Sequence, residues 1–169
     1  MRTELYWITT PTAGRLAIMP RPRGGDWLED EIRSWRSAGV DIVLSLLTAG
    51  EVDELNLAQE EALCKAQDID FFGYPIVDRS VPSSKESALR MLTKLRQRLV
   101  ERKNIAIHCR QGIGRAALIA IGLLILAGLD PETAIANVGA ARGCPVPETP
   151  EQKRWIVELF NEPMVMVPK

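Results

Sequence analysis

Apolar residues fall along the chain in two alternating rhythms: short dense runs, and longer stretches in which they return every third or fourth position. Leu5–Thr9 and Arg15–Met19 read as two short strands joined by a turn at Pro11–Gly14. A basic loop, Pro20–Gly25, follows, and Asp26 is placed to cap a helix through Ala38. In that helix Trp27, Leu28, Ile32 and Trp35 share one face, and Gly39 marks its end. Val40–Leu47 is apolar enough to predict a strand buried on both faces, as in a parallel sheet. A turn and short helical piece at Thr48–Asn56 lead to a helix over Leu57–Ala66, and Ile69–Val77 is the next strand. Ser83 or Ser84 caps a long helix through Lys103, with Leu89, Leu92, Leu95 and Leu99 on one face. Ile105–Ile107 is a short buried strand, and the apolar run Ala116–Leu129 is a core helix that stops near Gly128. Asp130-Pro131-Glu132 starts another helix, ending near Arg142-Gly143. Thr149-Pro150-Glu151 caps the last helix, Gln152–Asn161, and the tail Pro163–Lys169 is expected to be extended.

Strands that alternate with helices predict an α/β fold: a central, mostly parallel sheet of four to five strands flanked by helices, with right-handed crossovers. With 169 residues, 46% of them hydrophobic, the chain suits one domain over 1–169 with a full core. Ligands in such sheets bind beyond the carboxyl ends of the strands. The loops that begin at Asp78 and at Cys109 both follow strands and are predicted to meet there. The 21 basic and 22 acidic side chains nearly cancel, which argues against a general nucleic-acid or membrane-surface role and requires any anion binding to be local. Ala116–Leu129 is too short to span a bilayer. Cys64, Cys109 and Cys144 show neither a disulfide framework nor paired metal-ligand spacing. The N-terminal residues carry an early acid and no apolar core of a secretory signal. A reducing, cytoplasmic setting without cofactor is expected.

The chemistry concentrates in His108-Cys109-Arg110-Gln111-Gly112-Ile113-Gly114-Arg115. Lying between a strand end and a helix start, this loop is predicted to form a nest of backbone N–H groups, reinforced by the helix terminus and approached closely because of its glycines. A thiol in that field loses its proton more readily than an ordinary one, and Arg115 offers a planar fork to two phosphate oxygens. Adjacent side chains at a strand end point to opposite faces, so His108, the single histidine, is not expected to share the pocket of Cys109 or to act as its base. A buried histidine that holds loop carbonyls is the simpler reading.

The Cys-x5-Arg signature resembles the phosphate-binding loop of the cysteine-dependent protein tyrosine phosphatases, and Pro75-Ile76-Val77-Asp78-Arg79-Ser80-Val81-Pro82 is similar to the general-acid loop of their dual-specificity branch. The resemblance, which includes the small cyclin-dependent-kinase-inhibitor type, covers Val40 to Phe160. It implies Cys109 as nucleophile, Arg115 with Arg110, Gln111, Gly112, Ile113 and Gly114 as the phosphate-binding loop, and Asp78 as proton donor to the leaving oxygen. An ordinary aspartate titrates near pH ~4, so an activity maximum on the acid side of neutral is expected. Gln152 resembles the glutamine that positions water in some relatives, although an exposed helix-start residue fits the pattern equally well. Arg142 either adds a second positive charge near the site or satisfies a helix end. One position departs from the family, which usually has Ser or Thr after the arginine where this chain has Ala116. The implied substrate is a phosphorylated protein, with phosphotyrosine as the group removed and phosphoserine or phosphothreonine as a wider range. The alternatives are an inositol-phosphate or lipid phosphatase, a rhodanese-like sulfurtransferase, and a weakly active phosphate-binding module. Rhodanese loops generally place one residue fewer between cysteine and arginine, and the lipid-directed loops often carry lysines that Gln111 and Ile113 do not provide.

Overall fold

In a computed structural model of the chain, residues 3–161 are described, and the tail Pro163–Lys169 lies outside them. Five strands, β1 (Tyr6–Ile8), β2 (Leu16–Met19), β3 (Ile42–Ser45), β4 (Asp70–Gly73) and β5 (Ile105–His108), form one sheet in the order β1-β2-β5-β3-β4. β1 runs antiparallel to β2, and every other pairing is parallel. The mostly parallel α/β architecture expected from the sequence is therefore present. The strands are shorter than the apolar runs. After β4 only isolated bonds, such as Tyr74 N–H to the Ser45 carbonyl at 2.9 Å and Ile76 N–H to the Leu46 carbonyl at 3.0 Å, continue the ladder.

Side chains alternate across the sheet, which divides the core in two. On one face Ala17, Met19, Val43 and Ala106 meet α1 (Leu28–Ser37), α2 (Ala49–Glu54) and α3 (Glu60–Ala66). On the other, Leu16, Ile18, Leu44, Ile105 and Ile107 meet α4 (Lys85–Val100), α5 (Arg115–Leu126), α6 (Pro131–Arg142) and α7 (Pro150–Phe160). α5 is buried at every position from Arg115 to Ile125, as a helix apolar on all sides must be. No helix among the described residues is long and apolar enough to cross a membrane.

The caps read from the sequence hold at three helices. Ser84, Asp130 and Thr149 each accept a backbone N–H of the first turn, and Gly143 ends α6 in the left-handed region at φ 82°. Asp26, by contrast, does not cap α1 (Leu28–Ser37). A tight turn closed by Trp27 N–H on the Gly24 carbonyl precedes α1, so Asp26 lies inside that turn and Trp27 occupies the cap without a side-chain bond.

Candidate active site

β5 delivers Cys109 to the C-terminal edge of the sheet, and the chain then turns through the glycine loop into α5. The thiol is 2% exposed, and its Sγ accepts the Gly112 N–H at 3.2 Å. Gly112 sits at φ 77°, and a Cβ there would lie 2.8 Å from the Met19 carbonyl, so both its conformation and its space demand glycine. Gly114 caps α5 without a side-chain bond, which leaves the first N–H groups of the helix facing the loop.

Arg115 opens α5 and is fully buried. Its Nη1 donates to Glu51 Oε1 at 2.7 Å and to the Ile76 carbonyl at 2.8 Å, while Nη2 donates to Glu51 Oε2 at 3.0 Å and lies 3.1 Å from Asp78 Oδ1. Its Nε is buried and has no partner among the described residues. Burial works to raise the Glu51 carboxyl, but the Arg115 bonds, the Thr48 N–H and Arg110 outweigh it and hold the group down at about 2. For Arg115, burial opposes the charge, yet Glu51, Cys109 and Asp78 together raise its affinity for the proton.

Asp78, whose side chain is half exposed, enters from the loop after β4. Its neighbour Arg79 takes a left-handed backbone at φ 63° and pairs with Glu148 Oε2 at 2.8 Å. The result is a cleft of about 180 Å³ lined by Asp78, Arg79, Cys109, Arg110, Gln111, Ile113, Gly114, Arg115 and Glu148. The loops that the sequence predicts to meet do so here.

Of the remaining predicted residues, Arg110 lines the cleft and His108, Gln152 and Arg142 do not. His108 points to the opposite face of the sheet, where its ring lies 6.3 Å from that of Trp35. Gln152 is fully buried. Its Oε1 accepts the N–H groups of Glu148 and Thr149 at 3.0 and 3.2 Å, and its Nε2 donates to the Ser80 carbonyl at 3.0 Å. Its oxygen thereby serves the cap of α7, and one of its two N–H groups ties it to the Asp78 loop. Arg142 donates to the Gln111 carbonyl at 3.2 Å and stacks over the Tyr6 ring at 4.3 Å. Arg110 reaches Glu51 at 3.3 Å and Glu54 at 3.1 Å.

Glu51 and Glu148 are site residues that the sequence does not single out. Thr48-x-x-Glu51 is a capping-box pattern, and the box is present at the start of α2. That signal locates a helix start, but it does not reveal a partner 64 positions further on.

Residues 4–155 match the family described as "Swiss Army Knife protein, DSP-PTPase phosphatase domain", and the chain belongs to that family. Among curated proteins it is 25% identical to human cyclin-dependent kinase inhibitor 3 over 137 residues, covering 80% of this chain and 64% of that protein. It is also 25% identical to the putative tyrosine phosphatase 197R of Invertebrate iridescent virus 6 over 166 residues, covering 95% of this chain and 58% of the viral one. The chain thus spans about six-tenths of the length of the curated relatives it matches. Among solved structures, the kinase associated phosphatase superposes with a TM-score of 0.85 at 20% identity, over 95% of this chain and 96% of that one. The active form of Tk-PTP gives 0.75 at 26% identity, over 93% and 96%. PTPMT1 bound to PI(5)P gives 0.71 at 19% identity, over 92% and 95%.

Proposed function

We propose that the chain is a cysteine-dependent phosphatase that removes phosphate from phosphotyrosine, and from phosphoserine or phosphothreonine, in protein substrates through a phosphocysteine intermediate. The observation that carries this reading is Arg115, which lines the same cleft as Cys109 and whose buried Nε has no partner among the described residues. A buried N–H without an acceptor is costly, and a phosphate oxygen supplies the acceptor. Cys109 Sγ attacks phosphorus as the ester P–O bond breaks, Arg115 and the loop N–H groups hold the equatorial oxygens, and Asp78 gives its proton to the leaving oxygen. Water then attacks phosphocysteine, the S–P bond breaks, and Asp78 takes up the proton of that water. Free phosphate and thiolate result.

The charge around the cleft supports a single phosphate on a protein rather than a polyphosphorylated ring or lipid. Arg79 and Arg110 are already paired with Glu148, Glu51 and Glu54, and Glu148 itself places a carboxylate on the lining. The test is turnover of para-nitrophenyl phosphate, phosphotyrosyl and phosphoseryl peptides, and inositol phospholipids, by the wild type and Cys109→Ser. Phosphopeptide hydrolysis that this substitution abolishes is expected. Activity that survives it, or confinement to the lipids, overturns the proposal.

A further inference from the structure

The single histidine of the chain is held from both sides. His108 Nε2 lies 2.6 Å from Glu60 Oε2, and Nδ1 lies 3.3 Å from the Cys109 carbonyl oxygen. The His108 side chain is fully buried and that of Glu60 is 3% exposed, so water cannot supply either bond. Glu60 stands in the first turn of α3, on the far side of the sheet from the cleft. The reaction described above makes no use of it.

The proton positions follow from the partners. A carbonyl oxygen has no hydrogen to give, so the bond to Cys109 requires the proton on Nδ1. A contact of 2.6 Å between nitrogen and a carboxyl oxygen also requires a proton between them, on whichever atom carries it. A buried carboxyl is expensive unless it is paired, and here it has one ring to pair with. The Cys109 carbonyl belongs to the residue that carries the thiol, and its direction sets how the chain leaves β5 for the loop.

We infer that Glu60 is the positioning residue of the nucleophile: by holding Nε2 it fixes the ring and keeps an N–H of Nδ1 on the Cys109 carbonyl. The inference rests on Cys109 being the reactive thiol. Glu60 touches neither substrate nor the reacting atoms and acts through His108. Its role is to keep the ring from rotating or exchanging tautomers, since either change leaves the Cys109 carbonyl without its donor in a dry site. The amide of a Glu60→Gln variant can serve the same end, because it offers both a donor and an acceptor to Nε2, whereas the leucine of a Glu60→Leu variant, similar in size, offers neither.

The test uses the full chain and needs no phosphate ester. Because there is one histidine, the imidazole nitrogen NMR spectrum contains a single set of signals, which in the wild type are expected to show Nδ1 protonated. Alkylation of Cys109 by iodoacetate, located by peptide mass mapping, reports how well the thiol is presented. Glu60→Leu is expected to slow that alkylation by about 10- to 100-fold, up to the scale of a reacting group misplaced by an ångström, and Glu60→Gln to keep it within about twofold. An unprotonated Nδ1 in the wild type overturns the inference whether or not the variants fold. So does a Glu60→Leu variant that alkylates at the wild-type rate, or a Glu60→Gln variant that falls as far as Glu60→Leu. If the inference holds while para-nitrophenyl phosphate is not hydrolysed, the phosphatase reading fails and the placement of the thiol stands.

Discussion

At the scale of single residues, the proposed reaction makes two positions the ones expected to set its rate. Asp78 lies on the lining with Cys109 and 3.1 Å from Arg115 Nη2, which places a carboxyl beside the group that would hold the phosphate. Asp78→Asn keeps the size and removes the transferable proton. The kcat/KM of an alkyl or phosphoseryl ester, which reports formation of phosphocysteine, is expected to fall by about 10²- to 10⁴-fold, and that of para-nitrophenyl phosphate by much less, because nitrophenolate leaves without protonation. Paired steady-state assays on the two esters check it, and equal losses assign the proton to another group. Ala116 is the second position. It is completely buried beside Arg115, in the core cluster that also contains Cys109, and it brings no hydroxyl to the leaving thiolate. Breakdown of phosphocysteine is therefore expected to limit the rate and to produce a burst of nitrophenolate. Ala116→Ser should speed that second step by a few-fold, about the value of one hydrogen bond, and shrink the burst. Rapid-quench kinetics read both quantities.

At the scale of elements, what the sequence makes legible is whatever is written locally. The strand, glycine loop and apolar run from Ile105 to Leu126 predict their own structure, since burial on all sides of α5 needs no information from elsewhere. The caps at Ser84, Asp130 and Thr149 are likewise decided within a few residues. The contacts between elements are a different matter. Gln152 looks like a helix-start residue and is one, through its box with Thr149, but its second bond ties α7 to Ser80 and so to the Asp78 loop. Arg79 and Glu148 join the same two segments a second time. These tethers link positions about seventy apart and leave no periodic trace. Charge and position alone offer Arg142 either the site or a helix end; it stands in the last turn of α6, donates to the carbonyl of Gln111 in the glycine loop and stacks over the Tyr6 ring. Glu51 is invisible for the same reason, being recruited twice, once by its own helix and once by an arginine from across the sheet.

At the scale of the whole molecule, that double recruitment makes stability depend on pH. Glu51 is held at about 2 in the folded chain against an ordinary value of 4.5, because the bonds from Arg115, Thr48 and Arg110 overcome the opposing effect of burial. A carboxyl depressed on folding binds fewer protons when folded than when unfolded. Its contribution is fully present above 4.5 and is lost as pH falls through that value toward 2. Glu31 adds to the same slope: burial opposes its ionisation, but the bonds from Arg23 and Thr3 prevail and lower it. Glu51→Gln preserves the volume and one acceptor, yet it sets an amide N–H against the Arg115 fork and leaves that buried charge with Asp78 as its nearest carboxylate. At pH 7 the variant is expected to lose about 3 kcal/mol in urea unfolding, the cost of breaking a buried pair. Protonation of the wild-type carboxyl in acid removes the same interaction that the substitution removes, so the two curves should converge as pH approaches 2. Urea titrations of both proteins at half-unit steps from pH 7 to about 2 measure the gap. A gap that stays constant through this range would assign the acid sensitivity to groups other than Glu51.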